Sequence, residues 1–328
     1  MKKIKFNFFA FSDSDYLNKL KKHLVANPDI KLNNITNNFE ENIPLAMLKE
    51  GKVNLLIDLL QSDYLKKFDL NLNLKDRAGW TLAHYAADSN NENLLSVLLR
   101  NNIDISLKNN DDLTPIEVSI ENLKEQSFRI LLVNGNYTNY QKNQLLFRAL
   151  AVKNNYRFEP KNIIVNLLIT IINDLNEIKD NNALIVLCKS YSPYARYQQI
   201  GDSELSVVHQ MISKRININL IDQNNKNALN YSIENNLKEI TNWLIDKKIN
   251  IDLSHLDTAI DKKDHQTINK LIDILINNNQ DLSKYENDKR IKESNLLKEL
   301  FLPVFIKNDK DKINASINNP NNKNSHKI

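Results

Sequence analysis

DRAGWTLAHYAADSNNENLLSVLLRNNIDISLK, residues 76–108, is followed without a gap by NNDDLTPIEVSIENLKEQSFRILLVNGN, and both segments carry the same features in the same order. Thr81 and Thr114 stand 33 positions apart, as do Leu98 and Leu131, and Asn71 and Asp104. RININL from Arg215 and KINIDL from Lys248 repeat the offset of 33 further along the chain. A period of this length marks a stack of supersecondary units, each of which needs a neighbour to bury its apolar face.

Within each unit the pattern predicts a short alternating strand such as IDISL, a polar tip, a short helix, a break and a longer helix ending in paired leucines. From Glu92 to Leu99, the residues Leu94, Leu95, Val97, Leu98 and Leu99 cover one broad face at helical spacing.

These segments resemble the ankyrin repeat family, whose pattern reads approximately DxxGxTPLHxAAxxGxxxxVxxLLxxGADVN. The first matches at Asp76, Gly79, Thr81, His84, Ala86, Ala87, Leu98, Leu99 and Asp104. The second keeps Thr114, Pro115, Leu131, Leu132 and Gly135, with Glu117 where the family has histidine. DQNNKNALNYSIENNLKEITNWLIDKKINID, from Asp222, aligns through the second helix with Asn227, Ala228 and Asn230 at the positions of Thr, Pro and His. NIPLAMLKEGKVNLLIDLL (42–60) and LDTAIDKKDHQTINKLIDILI (256–276) add two helix pairs.

The resemblance implies an all-α repeat solenoid of helix pairs joined by short β-hairpins. The expected organisation is an amino-terminal segment and capping helix over 1–41, repeats over 42–135, divergent helical repeats or a helical insert over 136–215, and repeats over 216–283. A carboxy-terminal capping helix over 284–306 and a flexible polar tail over 307–328 complete it. Solenoid ends need such caps, and Ile291, Leu296, Leu297 and Leu300 are the residues expected to cover the last repeat.

Composition narrows the function. A hydrophobic fraction of 41% with 26% charged residues fits a soluble folded chain, and a net charge of +4 with interspersed signs argues against a dedicated nucleic-acid surface. Asparagine fills roughly one position in six, a compositional bias in line with an AT-rich genome. With four glycines in the chain, the left-handed turns of such repeats must fall to asparagine, which tolerates positive φ better than other side-chain-bearing residues. Asn90, Asn102, Asn225 and Asn236 stand at those places. One cysteine, Cys188, excludes an intrachain disulfide framework and points to a reducing compartment. The amino terminus lacks the uninterrupted apolar core and cleavage site of a signal peptide. The longest apolar run, Ile163 to Ile172, is about half of a bilayer span.

Catalytic, metal and cofactor sites are not expected. The resemblance implies that Thr81 and His84, with Thr114 and Pro115 in the next unit, lock the turns. An enzyme alternative places a Cys188-centred site within 136–215, with His209 as its base. Four scattered glycines build no phosphate loop, and the histidines show no metal-binding spacing.

The residues expected to meet a protein partner are those that the repeat geometry leaves on the concave side. They are Arg77, Trp80, Asp88 and Ser89, then Asn110, Asp111, Leu113 and Glu121, then Gln223, Asn224 and Lys226. Trp80 has the burial potential of an interface anchor, with packing on the adjacent hairpin as its equal alternative. The expected function is non-enzymatic protein binding, cytoplasmic or in the host cytosol as an effector of an intracellular bacterium, with the tail either a frayed end or a translocation signal. An endogenous or viral scaffold is the other context. No nucleic acid, membrane span or small-molecule substrate is expected.

Overall fold

A helix begins where a polar side chain satisfies its first amides, and a pair closes where a left-handed residue turns the chain back. The computed structural model describes residues 41–62, 70–152, 158–190 and 202–317, with a few isolated positions before 41. It divides into two units, Met1–Glu177 and Ile178–Ile328. The expected amino-terminal capping helix lies almost entirely outside the described residues. At that end Ile4–Lys5 and Ile35–Thr36 pair in parallel, Ile4 opposite Ile35.

The described residues of unit 1 contain four helix pairs: α1 (Ile43–Lys49) with α2 (Val53–Gln61), α3 (Leu82–Asp88) with α4 (Glu92–Arg100), α5 (Pro115–Glu121) with α6 (Glu125–Asn134), and α7 (Asn139–Ala151) with α8 (Phe158–Ile171). First helices pack on first helices, α1 on α3, α3 on α5 and α5 on α7, while α2, α4, α6 and α8 form the parallel row. Residues 139–171 therefore stack in the same order as the regular repeats. The core is the seam between the rows, where Leu82, Ala83, Ala86, Ala87, Leu94, Leu95 and Leu98 are fully buried. Burial of each such leucine is worth about 1.5–3 kcal/mol, and the alanines let the first helices approach closely.

Unit 2 repeats the scheme with α9 (Ala183–Ser190), α10 (Asp202–Ser213), α11 (Ala228–Glu234), α12 (Lys238–Asp246), α13 (Leu253–Lys262) and α14 (His265–Asn277). Here α9 packs on α11 and α11 on α13. A 3-10 turn (Ser283–Asn287), the short α15 (Lys289–Lys292) and α16 (Asn295–Ile317) follow, with α16 against α14.

The capping segment differs from the single helix expected over 284–306. Asp288 breaks it by capping α15 through its carboxylate, and the long helix starts only at Asn295. Ile291 and Leu297 are buried as expected, but Leu296 is 49% exposed, and Phe301 and Val304 bury in its place. The Phe301 ring lies 5.4 Å from that of Tyr285. Helix α16 also continues through Pro303 to Ile317, into the segment expected to be a flexible tail; the rest of that tail, 318–328, lies outside the described residues.

Nor does IDISL form a strand. Asp104 accepts bonds from the Ser106 amide (2.8 Å) and hydroxyl (2.6 Å), and this local turn outcompetes an extended pairing. Each tip is closed by a narrow hairpin bond, Asp76 N–H to Trp80 O at 2.9 Å, Asn109 N–H to Leu113 O at 2.9 Å, and Asp222 N–H to Lys226 O at 2.9 Å.

Left-handed residues recur at three places. Gly79, Asp112 and Asn225 sit at tips; Asn90, Leu123, Asn236 and Lys263 separate the helices of a pair; Asn102, Arg215, Lys248 and Asn279 follow second helices. Asn90, Asn102, Asn225 and Asn236 all have φ of 55° or 56°. Leucine, arginine and lysine occupy the same region without asparagine's tolerance, so the stack imposes the turn on whatever residue stands there.

Gly79 is held by more than φ. A Cβ there would meet the Asn110 backbone nitrogen of the next tip at 2.7 Å, whereas at Gly51, with the same positive φ, it would meet nothing within 4 Å. Gly79→Ala is expected to lower stability well beyond Gly51→Ala, whose cost is about 1–2 kcal/mol of backbone strain alone. Chemical denaturation of the two variants checks this; equal losses would mean that the tips can separate without penalty.

Candidate protein-interaction surface

The first helices share one opening device. Thr81 N–H donates to His84 Nδ1 at 3.1 Å, and the Thr81 hydroxyl lies 2.9 Å from the same nitrogen. Nδ1 is thus an acceptor, so Nε2 carries the proton and donates to Leu113 O of the next tip at 2.9 Å. The same reciprocal box recurs as Thr114 with Glu117, Thr138 with Gln141, Asn227 with Asn230 and Asp252 with His255. Pro115 is buried at the first turn of α5, where its missing N–H costs nothing. His255 holds the same box position in unit 2, but its Nε2 donates backward, to Asn227 Oδ1 of the preceding unit at 3.0 Å. The sequence DLSH at 252–255 was its signal, an N-cap acid three residues before a histidine.

The tips rest on a second device. Asp76 Oδ1 accepts from the amides of Ala78 (3.0 Å) and Trp80 (2.8 Å), while Oδ2 accepts from Tyr85 OH (2.6 Å) and Lys49 Nζ (2.8 Å). Unit 2 reproduces it: Asp222 Oδ1 accepts from Asn224 N–H (2.8 Å) and Lys226 N–H (3.2 Å), and Oδ2 from Tyr231 OH (2.6 Å), with Lys189 Nζ at 3.7 Å. Lys49 and Lys189 also lie over the Tyr85 and Tyr231 rings, at 5.5 and 5.2 Å. Burial opposes the charge of Asp76, but the bonds from Lys49, Tyr85 and Trp80 N–H outweigh it and hold the carboxyl below its usual pKa range. Burial, reinforced by the facing aspartate, pushes both tyrosine hydroxyls up to about 12, so they remain donors. None of these six residues was among the expected site residues, although Asp76 matches the family pattern and Asp and Tyr stand nine positions apart in both units.

The structure sorts the expected contact residues. On unit 1, Arg77, Asn110 and Asp111 are exposed on consecutive tips, which are joined by Asn110 N–H to Ala78 O (3.1 Å) and Asn110 Nδ2 to Arg77 O (2.9 Å). Trp80 is half-buried, with its ring 5.0 Å from Tyr85 and 5.9 Å from His84, so much of it stiffens the tip. Leu113 is half-buried and its carbonyl is taken by His84. Asp88 accepts from Asn122 (2.8 Å), the Ser89 hydroxyl turns back to Ala86 O (3.2 Å), and Glu121 accepts from Arg148 (2.7 Å). On unit 2, Gln223 is exposed, Asn224 donates to Tyr231 OH (3.1 Å), and Lys226 pairs with Glu234.

The geometry does not favour the Cys188-centred alternative. Cys188 is fully buried in α9 among Leu184, Ile185 and Leu187, and burial pushes its thiol up to about 12, which leaves no thiolate to act as a nucleophile. His209 is exposed on α10, with its ring 5.8 Å from Trp243. Among the described residues no group of His, Cys, Asp and Glu is arranged to hold a metal ion, and no helix is long and apolar enough to cross a membrane.

The family model for ankyrin repeats, in three copies, matches residues 45–144. These residues are ankyrin repeats. The sequence matches none of the curated proteins. Similar solved structures include the ankyrin repeat domain of Bcl-3, at 18% identity and a TM-score of 0.48, covering 65% of this chain and 86% of that one. An ankyrin repeat domain from Acinetobacter baumannii AYE matches at 16% identity and a TM-score of 0.49, covering 63% and 98%. A chain from the complex of the Bdellovibrio bacteriovorus predatory endopeptidase Bd0816 with immunity protein Bd3460 matches at 17% and 0.46, covering 63% and 98%.

The ankyrin lock predicts a pH response. Burial holds His84 and His255 below the ordinary value of 6.5, so both are neutral in the fold while the unfolded chain takes up their protons more readily. Their stabilisation is complete above about pH 6.5 and is lost as pH falls below it. The aspartates held low, Asp76 and Asp222, contribute stability that is fully present above the ordinary carboxylate range and is lost only as pH falls through and below it, so they do not shape the profile near neutrality. Melting followed by circular dichroism is expected to show a Tm that falls as pH drops below about 6.5, and a flatter profile in the His84→Gln/His255→Gln variant.

Proposed function

We propose that this ankyrin-repeat chain is a protein-interaction module that docks a partner protein on the tip face of unit 1. The observation that carries the reading is the exposure of Arg77, Asn110 and Asp111 on tips whose backbones are already fixed by Asp76 and by Asn109, which accepts from Asp111 N–H (3.0 Å) and Leu113 N–H (2.9 Å). A preorganised surface loses little entropy on binding, so a few exposed side chains suffice for affinity. Trp80 serves mainly as the floor of this face, and Gln223 forms the corresponding exposed tip of unit 2.

The setting we propose is the host cytosol, with the chain acting as a secreted effector of an intracellular bacterium and its polar carboxy terminus as the translocation signal. The single cysteine, buried and free, supports a reducing destination. The test is affinity capture from host-cell lysate with the native chain and with Arg77→Ala/Asp111→Ala, both sites being exposed and outside the core. Loss of the partner by about tenfold or more is expected if these side chains are anchors. Equal recovery at an unchanged Tm would place the interface elsewhere.

A further inference from the structure

Unit 2 opens a groove of about 500 Å³ where the breaks of two successive helix pairs lie side by side. Its wall carries Lys238, Lys262, Lys263 and His265 together with Glu234 and Asp264. The two acids are already engaged: Glu234 pairs with Lys226, and Asp264 accepts from the Thr267 hydroxyl at 2.6 Å and its amide at 3.3 Å in capping α14. The three lysines are exposed and make no ion pair among the described residues. His265 Nδ1 is enclosed without a hydrogen-bond partner, the one such buried side-chain atom among the described residues of unit 2.

This charge does not come with the fold. The corresponding breaks of unit 1 carry Asp88, Glu92, Glu121 and Glu125 with Lys124 as their one cation, so the same architecture presents mainly acids there and three unpaired lysines here. We propose that the groove is a docking site for an acidic segment of a partner protein, whose Asp and Glu carboxylates seat among Lys238, Lys262 and Lys263. Space for several side chains, rather than a closed ring of donors, suits a peptide better than a single small oxyanion. The whole chain has little excess charge at +4, which disfavours the continuous phosphates of a nucleic acid. Compact ammonium charges on flexible stems fit carboxylates spaced along an extended chain. The inference rests on the chain being a protein-binding module, and it concerns a surface separate from the unit 1 tips.

The test uses the full chain and a fluorescein-labelled peptide of alternating Glu and Gly, followed by anisotropy at low salt. Lys238→Gln/Lys262→Gln/Lys263→Asn keeps a left-handed residue at 263 and removes three charges from the groove. Lys248→Asn/Lys298→Gln/Lys307→Gln removes three from exposed positions elsewhere. The groove variant is expected to weaken binding about tenfold and the control about twofold or less, as befits several near-surface charge pairs. Equal weakening in the two variants would overturn the proposal, leaving only a diffuse net-charge effect. So would displacement of the peptide by inorganic phosphate at equal concentration, which would make it a small-anion site. Arg77→Ala/Asp111→Ala is expected to bind the peptide like the native chain, so failure of the tip face and failure of the groove are read separately.

Discussion

The fold depends on a hydrogen bond that leaves the start of one first helix and ends on the backbone of the next unit. His84 Nε2 to Leu113 O at 2.9 Å is the histidine form. Asparagines do the same work elsewhere: Asn42 Nδ2 reaches Asn71 O (3.3 Å), Asn143 Nδ2 reaches Asp174 O (2.8 Å), and Asn182 Nδ2 reaches Asn217 O (2.7 Å). Apolar contact between helix rows is non-directional and would tolerate sliding. A buried donor with one acceptor in reach fixes the register, because an unmade bond there costs about 1–3 kcal/mol. Most of these donors also cap their own helix, so the local start of a helix and the stacking of neighbours are set by one side chain.

The aspartate–tyrosine–lysine clusters at Asp76 and Asp222 extend this logic to the tips. A tip loop has few apolar contacts and would otherwise be mobile. One carboxylate gathers two amides of its own hairpin, a hydroxyl from the helix behind it and an ammonium from the preceding unit. The tip becomes a rigid platform on which Arg77 and Asp111 remain available. Rigidity and exposure are thus supplied by different residues, and the contact surface can change without disturbing its support.

The same separation explains what could be read from the residues. The 33-residue offset, the paired leucines and the Thr81–His84 box were legible because helix periodicity and capping are local rules acting over a few positions. Asparagine at the left-handed sites was legible for the same reason. The strand in IDISL was misread because the alternation of apolar residues competes with the Asp104–Ser106 turn, and a polar side chain bonding two residues on wins in a short segment. Leu296 was chosen for the cap over Phe301 and Val304 because the break at Asp288 shifts the helix start and rotates its apolar face.

By itself the sequence determined the repeat period, the helix pairs and the residues that open and turn them, since each follows from spacing and local chemistry. Only the tertiary structure decided which side chains remain available. It sealed Cys188, laid Trp80 against Tyr85, joined Asp76 to a lysine 27 positions earlier, and set Lys238 beside Lys262 and Lys263 around one groove. The physical reason is that exposure and charge pairing depend on neighbours one repeat away, whose approach is fixed by packing and by buried bonds rather than by any pattern within a single unit.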